Sequence, residues 1–238
     1  MVYSDIIIDH GGRLQEQFEE RMKKNGFHIA TVDFTDPDHS SHLNPFWFLI
    51  SPRDVGEMVT TILAHTEPSE ECGKDPELLR AERDLLTSAV TCVLKLSMLD
   101  MDLNMESVIR LLSLGDHEDP GTETDDPTAL TQLDRFFEEK AGVYGDAFLP
   151  YQEYLSFRNT AWTGYYTVLR SCLGRLSEFR QEAPMKIMME ENASEWNGWE
   201  NYQKAFIFCN FPEDRNEFKC CQALFRGMLT WTLFDDEE

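Results

Sequence analysis

A chain of 238 residues with 42% hydrophobic and 12% aromatic side chains is long and apolar enough to bury a core, which excludes a disordered polypeptide. Its 21 basic against 44 acidic residues leave a net charge of −23, which argues against direct contact with nucleic acid or an anionic membrane. The charge is spread: residues 1–67 carry 5 basic and 11 acidic side chains, 68–185 carry 11 and 22, and 186–238 carry 5 and 11, so no segment is a basic arm.

The opening MVYSDIIID has neither the basic region nor the long apolar run of a secretory signal. The best apolar stretch, Ala89 to Met101, is short and is broken by Lys95 and Asp100, so no membrane span is expected. Cys72, Cys92, Cys172, Cys209, Cys220 and Cys221 form no CxxC pair and lie mostly in apolar surroundings. They read as reduced core thiols of a cytoplasmic protein, with the sequon at Asn192 idle.

In chain order, DIIIDH (Asp5 to His10) reads as a buried strand, and Leu14 to Asn25 as an amphipathic helix ended by Gly26. Phe27 to Phe34 is a second strand, followed by a proline-broken polar turn. Ser51-Pro52 suits the start of a helix, with serine as cap and proline in the first turn. Strand, helix, strand and helix imply parallel pairing with right-handed crossovers. From Glu67 the texture changes. TEPSEECGKDPE reads as a loop, and helical periodicity then runs through Pro76 to Asp100, Asn104 to Gly115, Ala129 to Gly142, Tyr144 to Asn159 and Ala161 to Arg180. Between the second and third of these, Asp116 to Thr128 is an acidic loop. After Pro184 a polar stretch leads to KAFIFCNF (Lys204 to Phe211), an apolar strand of the buried type, and to a last helix over Arg215 to Phe234. The expected fold is α/β with a large all-α insertion: residues 1–67 form part of an α/β unit, 68–185 an all-α domain, and 186–238 the returning strand and helix.

Several motifs occur in one order along nearly the whole chain: IIDHGGRL (Ile7 to Leu14), GFHIATVDF from Gly26, HSSHLNPFWFL (His39 to Leu49), ILAHTEPSEECGKDPE, SVIRLLSLG, the Tyr151 to Phe157 stretch, VLRSCLGRLSEF and KAFIFCNFPEDRNEF. Together they resemble the TraG-like coupling proteins of conjugation and type IV secretion, in their Gram-positive conjugative-element branch. Those are membrane-anchored hexameric motors whose RecA-like ATPase domain is interrupted by an all-α domain. The resemblance implies a small parallel RecA-like sheet built from both chain ends. The departures bear on activity. The family's strand-turn motif Asp-Pro-Lys-Gly-Glu keeps Asp9 and Gly12 here, with His10, Gly11 and Arg13 in place of the other three. The G-x-x-x-x-G-K-[ST] phosphate loop is absent from these residues, and Asp235-Asp236-Glu237-Glu238 follow a helix rather than an apolar strand. The resemblance therefore implies a stretch truncated between Walker A and Walker B, without cofactor, and the turn after the first strand is expected to be no phosphate cradle.

The remaining candidates are weighed residue by residue. Asp9 and His10 have the types of an acid/base pair, yet Asp9 as cap of the next helix is the simpler reading, and no catalytic residue is assigned. Asp36, His39 and His42 have metal-ligand chemistry, but a polar surface loop accounts for them and no metal site is expected. Trp196, Trp199 and Tyr202 in a polar stretch, and Asp116, Glu118 and Asp119 in the acidic loop, are candidate partner-binding residues. The function expected is a non-catalytic protein-binding module whose helical domain takes a relaxase, a relaxosome protein or a full-length coupling protein. The alternative is an acidic, DNA-mimic-like decoy that occupies a basic partner.

Overall fold

A computed structural model describes residues 3–97, 101–116, 130–145, 148–161, 164–189 and 204–233. The chain divides into two compact units, one made of Met1–Ile50 with Glu178–Glu238 and the other of Ser51–Ser177. The change of texture placed these divisions at 67/68 and 185/186. In the structure Pro52–His65 belongs with the helices, because its Val55, Met58, Val59 and Ile62 side are buried there.

The first unit holds a three-stranded parallel sheet of β1 (Tyr3–His10), β2 (His28–Asp33) and β3 (Lys204–Phe211), in the order β1-β3-β2. The two strands nearest in sequence are thus separated by the one that returns last. The reason is burial: Ile207, Phe208, Cys209 and Phe211 are at most 1% exposed, and a strand so apolar belongs in the middle of a parallel sheet. The register sets Asp9 beside Asn210 and Asn210 beside Asp33. Helix α1 (Arg13–Lys24) joins β1 to β2 through Gly11 and Gly12, whose φ values of 73° and 69° lie where a side chain is disfavoured.

Among the described residues, the unit's aromatic core is Phe34 stacked on Phe211 at 4.4 Å, with Phe218 and Phe225 at 5.2 and 5.7 Å from Phe34. Phe225 belongs to the closing helix over Lys219–Leu233. The exposed-looking start of that helix is capped from afar, since Glu178 accepts hydrogen bonds from the Cys220 and Cys221 amides at 3.3 and 2.8 Å.

In the second unit α2 (Pro52–His65) starts in a capping box between Ser51 and Asp54. The segment expected as loop before the long helix holds a short helix, α3 (Glu70–Lys74), because Ser69 caps it by accepting from the Cys72 amide and Cys72 is fully buried. Then come α4 (Pro76–Leu96), α5 (Met105–Ser113), α6 (Gln132–Tyr144), α7 (Leu149–Thr160) and α8 (Tyr165–Arg175). Asp75, Asn104 and Thr131 cap α4, α5 and α6 through their side chains. Gly115 lets the 3₁₀ turn Leu114–Asp116 approach α8, where a Cβ would come within 2.6 Å of the Tyr165 hydroxyl.

Helix α4 is the axis of this unit, packed against α2, α5, α7 and α8. A buried ion pair ties three of these together. Arg175 donates through Nε and Nη2 to Glu82 at 3.1 and 2.8 Å, and through Nη1 to the Leu63 and Thr66 carbonyls that end α2. The two side chains are 2% and 0% exposed. A second knot joins α6 and α7: Asp134 accepts from Tyr154 at 2.8 Å and pairs with Arg158 at 2.9 Å, and Arg158 lies over the Tyr165 ring at 4.5 Å.

Back in the first unit, a helix not foreseen from the sequence, α9 (Glu182–Met188), precedes β3; the closing helix Lys219–Leu233 is α10. Pro184 sits in the first turn of α9, where no backbone donor is needed. The helix is held by Lys186 on Asp38 at 2.5 Å and by the Leu43 amide on the Ile187 carbonyl at 2.9 Å. All six cysteines are buried and unpaired, and burial pushes the Cys92 thiol up to about 12. No helix among the described residues is long and apolar enough to cross a membrane.

Removing one partner of the buried pair leaves a charge without compensation, so Arg175→Met is expected to cost about 3–5 kcal/mol in urea unfolding. The double variant Arg175→Met/Glu82→Leu is expected to recover a large part of that loss; equal midpoints for single and double variants would contradict the pairing.

Candidate functional site

The carboxyl ends of parallel strands are where α/β sheets gather their chemistry. Here each strand ends in a polar residue followed by an aromatic ring: Asp9-His10, Asp33-Phe34 and Asn210-Phe211. Asp9 is 2% exposed and accepts the Gln15 amide at 2.9 Å, which satisfies the third turn-opening donor of α1. Gly12, the residue at the cap position, has no side chain to do so. His10, on the opposite face of β1, has Nδ1 at 3.2 Å from the Pro212 carbonyl and so is the donor there when Nδ1 carries the proton. Asp9 and His10 therefore serve different neighbours. Arg13 is exposed and pairs with Glu213.

The amides of the turn are partly committed. The Gly11 amide donates to the Phe211 carbonyl at 2.9 Å and the Glu16 amide to the Gly12 carbonyl at 3.1 Å, in addition to Gln15 on Asp9. A phosphate loop works by leaving such donors pointing at its ligand.

Two hollows flank the turn. One, of about 480 Å³, is lined by Asp9, His10, Arg13, Leu14, Glu213 and Arg215, a mixture of both signs. The other, of about 370 Å³, is lined by Gly12, Gln15, Glu16, Glu19, Asp33 and Asn210, and its ionisable lining residues are all carboxylates. Asn210 donates through Nδ2 to Gln15 at 2.9 Å and to Asp33 at 3.2 Å, while its Oδ1 has no hydrogen-bond partner among the described residues. Gln15 in turn donates to Glu19 at 2.9 Å and Thr31 at 2.8 Å. Burial raises the Asp33 carboxyl, but hydrogen bonds from the Thr35 side chain and backbone, Asn210 and the Asp36 amide outweigh it and hold the group below its ordinary 3.8. Hydrogen bonds from Lys23 and Gln15 hold Glu19 below its usual value.

Of the other residues singled out in the sequence, Asp36 and His39 contact each other at 3.0 Å on an exposed turn, and this pairing raises the His39 pKa. Among the described residues no group of three or more His, Cys, Asp or Glu is arranged to hold a metal ion. Asp116 ends the 3₁₀ turn and lies 3.6 Å from Arg170. Glu118, Asp119, Trp196, Trp199 and Tyr202 lie outside the described residues. Sequence reading missed Gln15, Glu16, Glu19, Asp33 and Asn210. The signal was the Asp or Asn shared by all three strand ends, together with the i, i+3 spacing of Glu16 and Glu19.

In the second unit, Val143 is 74% exposed, Leu149 43% and Tyr144 41%, three large apolar side chains within seven residues where α6 passes to α7. Tyr144 stacks on the buried Phe148 at 5.2 Å.

Neither a protein-family model nor a curated protein matches the chain.

Loss of the α1 cap sets one expectation: Asp9→Ala costs about 1 kcal/mol, and Asp9→Asn less, because an amide oxygen still accepts from Gln15. Urea midpoints of the two variants give the comparison. A depressed carboxyl stabilises above its unfolded pKa and loses that contribution as pH falls through the folded value. Melting curves from about pH 5 to about pH 2 should therefore fall less steeply for Asp33→Asn than for the parent chain.

Proposed function

We propose that this chain is a non-catalytic, coupling-protein-like module of a conjugation or type IV secretion system, and that it binds transfer-substrate or relaxosome proteins through its helical unit. The observation that carries the reading is the organisation of the chain: a self-contained helical unit, with its own buried core and ion pair, interrupts in sequence a unit built on a three-stranded parallel sheet. The TraG-like resemblance carried by the ordered motifs implies an all-α domain set within a RecA-like sheet, and a helical unit inserted into a parallel-sheet unit supports that reading. The turn after β1 supports the non-catalytic part. Three of the amides at the turn and the start of α1, those of Gly11, Gln15 and Glu16, are engaged by Phe211, Asp9 and Gly12, and the ionisable residues lining the hollow beside it are carboxylates, where nucleotide phosphates require a lysine. The exposed Val143, Tyr144 and Leu149 supply what a protein-binding surface needs, apolar anchors on a packed helical support.

The immobilised full chain is expected to capture a purified relaxase or a full-length coupling protein from a panel of Gram-positive conjugative elements. Val143→Asp/Leu149→Asp should lower that capture about tenfold while leaving the circular dichroism spectrum unchanged. Mg-ATP should give no rise in melting temperature. Capture of neither class of protein would overturn the reading, and capture of a basic nuclease or regulator, weakening steeply with salt, would replace it by the acidic decoy.

A further inference from the structure

The two edges of the sheet are unequal. The Phe34 amide donates to the Asn210 carbonyl at 2.9 Å, and bonding residues alternate along a parallel ladder, so Val32 and Ala30 also turn their backbone groups to β3. Thr31 and Asp33 turn theirs outward, and the turn after β2 meets them. The Ser41 amide donates to the Thr31 carbonyl and the Asp33 amide to Ser40 Oγ, each at 2.8 Å. On β1 the Gly11 amide donates to the Phe211 carbonyl, which by the same alternation commits Ile7 and Asp9 to β3. The N–H and C=O groups of Ile6, Ile8 and His10 therefore point away from the sheet, and nothing among the described residues bonds to them.

The side chains of β1 point the same way. Ile6 and Ile8 lie on one face and Ile7 on the other, and all three are half-buried. Apolar residues on both faces belong to a strand with a neighbour along each edge, as in β3. Edge strands are normally protected by lysine, proline, a bulge or a covering loop. From Ile6 to His10 there is no lysine or proline, and the ladder to β3 runs without a bulge. At the carboxyl half of the strand, Ile8 and the 40%-exposed Leu14 share the mixed-charge hollow of about 480 Å³.

The occupant follows from this chemistry. Only another extended backbone presents N–H and C=O groups at the two-residue repeat of such an edge, so it is a strand. A second copy of this chain is a poor one. The sheet-bearing unit carries 21 acidic against 10 basic side chains, and a twin would double that field, whereas a basic segment is drawn to it. Alternate β-branched residues on that segment would meet Ile6 and Ile8, one of them seated between Ile8 and Leu14.

We infer that the β1 edge receives an extended, positively charged segment of a partner protein, which extends the sheet by bonding to the backbone of Ile6, Ile8 and His10. The inference rests on the protein-binding reading above and adds a second point of attachment, on the sheet-bearing unit.

The test uses the full chain labelled with ¹⁵N. In the free protein the Ile6 and Ile8 amides are expected to exchange with deuterium faster than those of Ile7 and Asp9, which bond to β3. The probe is the peptide acetyl-KTVTVTK-amide, and its control is the same peptide with every backbone amide N-methylated. The probe is expected to shift and protect the Ile6, Ile8 and His10 amides saturably, with the control leaving them in place. Glutamate in place of both lysines should weaken the probe severalfold, a comparison that needs no variant of the chain. Ile8→Pro removes one outward donor and spares the ladder to β3, so it should weaken the probe about tenfold with the circular dichroism spectrum unchanged. Equal shifts from the control, shifts confined to other residues, no saturable shift, or slow exchange of Ile6 and Ile8 in the free chain would each overturn the inference. Sedimentation of the free chain as a dimer that Ile8→Pro abolishes would overturn it too, by giving the edge to a second copy. Capture of a relaxase with no response at these amides would sink the edge site and leave the protein-binding reading standing.

Discussion

Strand β3 is the constraint on which the sheet-bearing unit depends. Four of its side chains are at most 1% exposed, so it needs a neighbour along each edge and cover on each face. β1 and β2 supply the edges in parallel, α1 and α10 pack against the sheet, and every one of these partners is distant from β3 or from another partner in sequence. Gln15 and Asn210, which hydrogen-bond, are 195 positions apart. The entropy of closing so long a connection rises only logarithmically with its length. A whole helical unit can therefore occupy the connection at little further cost to the sheet, whereas the rate of forming the sheet bears the burden of its non-local pairing.

The same register fixes the chemistry at the sheet's carboxyl end. Parallel pairing brings Asp9, Asn210 and Asp33 to one row, and the amide in the middle separates two carboxylates without neutralising either. Each outer carboxylate is then used locally. Asp9 faces the amino end of α1, where its charge meets the positive pole of the helix, and Asp33 gathers the Thr35 and Asp36 donors of the following turn. Glu16 and Glu19 add charge on the adjoining turn of α1, and among the described residues Lys23 and Gln15 answer it, both at Glu19. The phosphate-like appearance of the strand-glycine-helix turn thus conceals an inverted potential. A net charge of −23 alone would give the molecule a repulsive field without direction; the hollow gives part of that field a place and a shape.

The elements that could be read in advance are those whose signal is local. The apolar run of β3, the Ser51-Pro52 start of α2 and the glycine after α1 all appear where hydrophobic period and cap chemistry put them. The short helices α3 and α9 were invisible because their support is tertiary. The first hangs on one buried cysteine and a serine cap, and the second on Lys186 and a backbone bond from Leu43, with Pro184 masking its helical character. Strand order was likewise beyond a sequence reading, since it follows from which strand is buried on both faces. The candidate site was half legible. Asp9 and the glycines announced a turn, but Asn210 and Asp33 become its neighbours only through the register of a strand nearly 200 residues away, and Glu82 with Arg175 look like ordinary surface charges until α4 and α8 meet.

The buried polar knots bear on how the helical unit can present a surface. Tyr144 stacks on the buried Phe148 at the α6–α7 turn, and the two helices leading to and from that turn are joined by the stacked Phe137–Tyr154 pair and the Asp134–Tyr154–Arg158 cluster, all of them packed or hydrogen-bonded in one geometry. A charged cluster of this kind adds little net stability compared with an apolar core, but it is directional, and a wrong packing of α6 against α7 would leave Asp134 or Arg158 unpaired. The apolar corner is thereby held in place before any partner arrives. An interface that starts ordered loses less conformational freedom on binding, so three exposed side chains on such a support contribute more affinity than the same three on a loose connection. The same logic holds at the sheet, where Gln15, Thr31 and Asn210 brace the acidic hollow from behind. In both units the polar groups that are buried fix the positions of the groups that remain exposed.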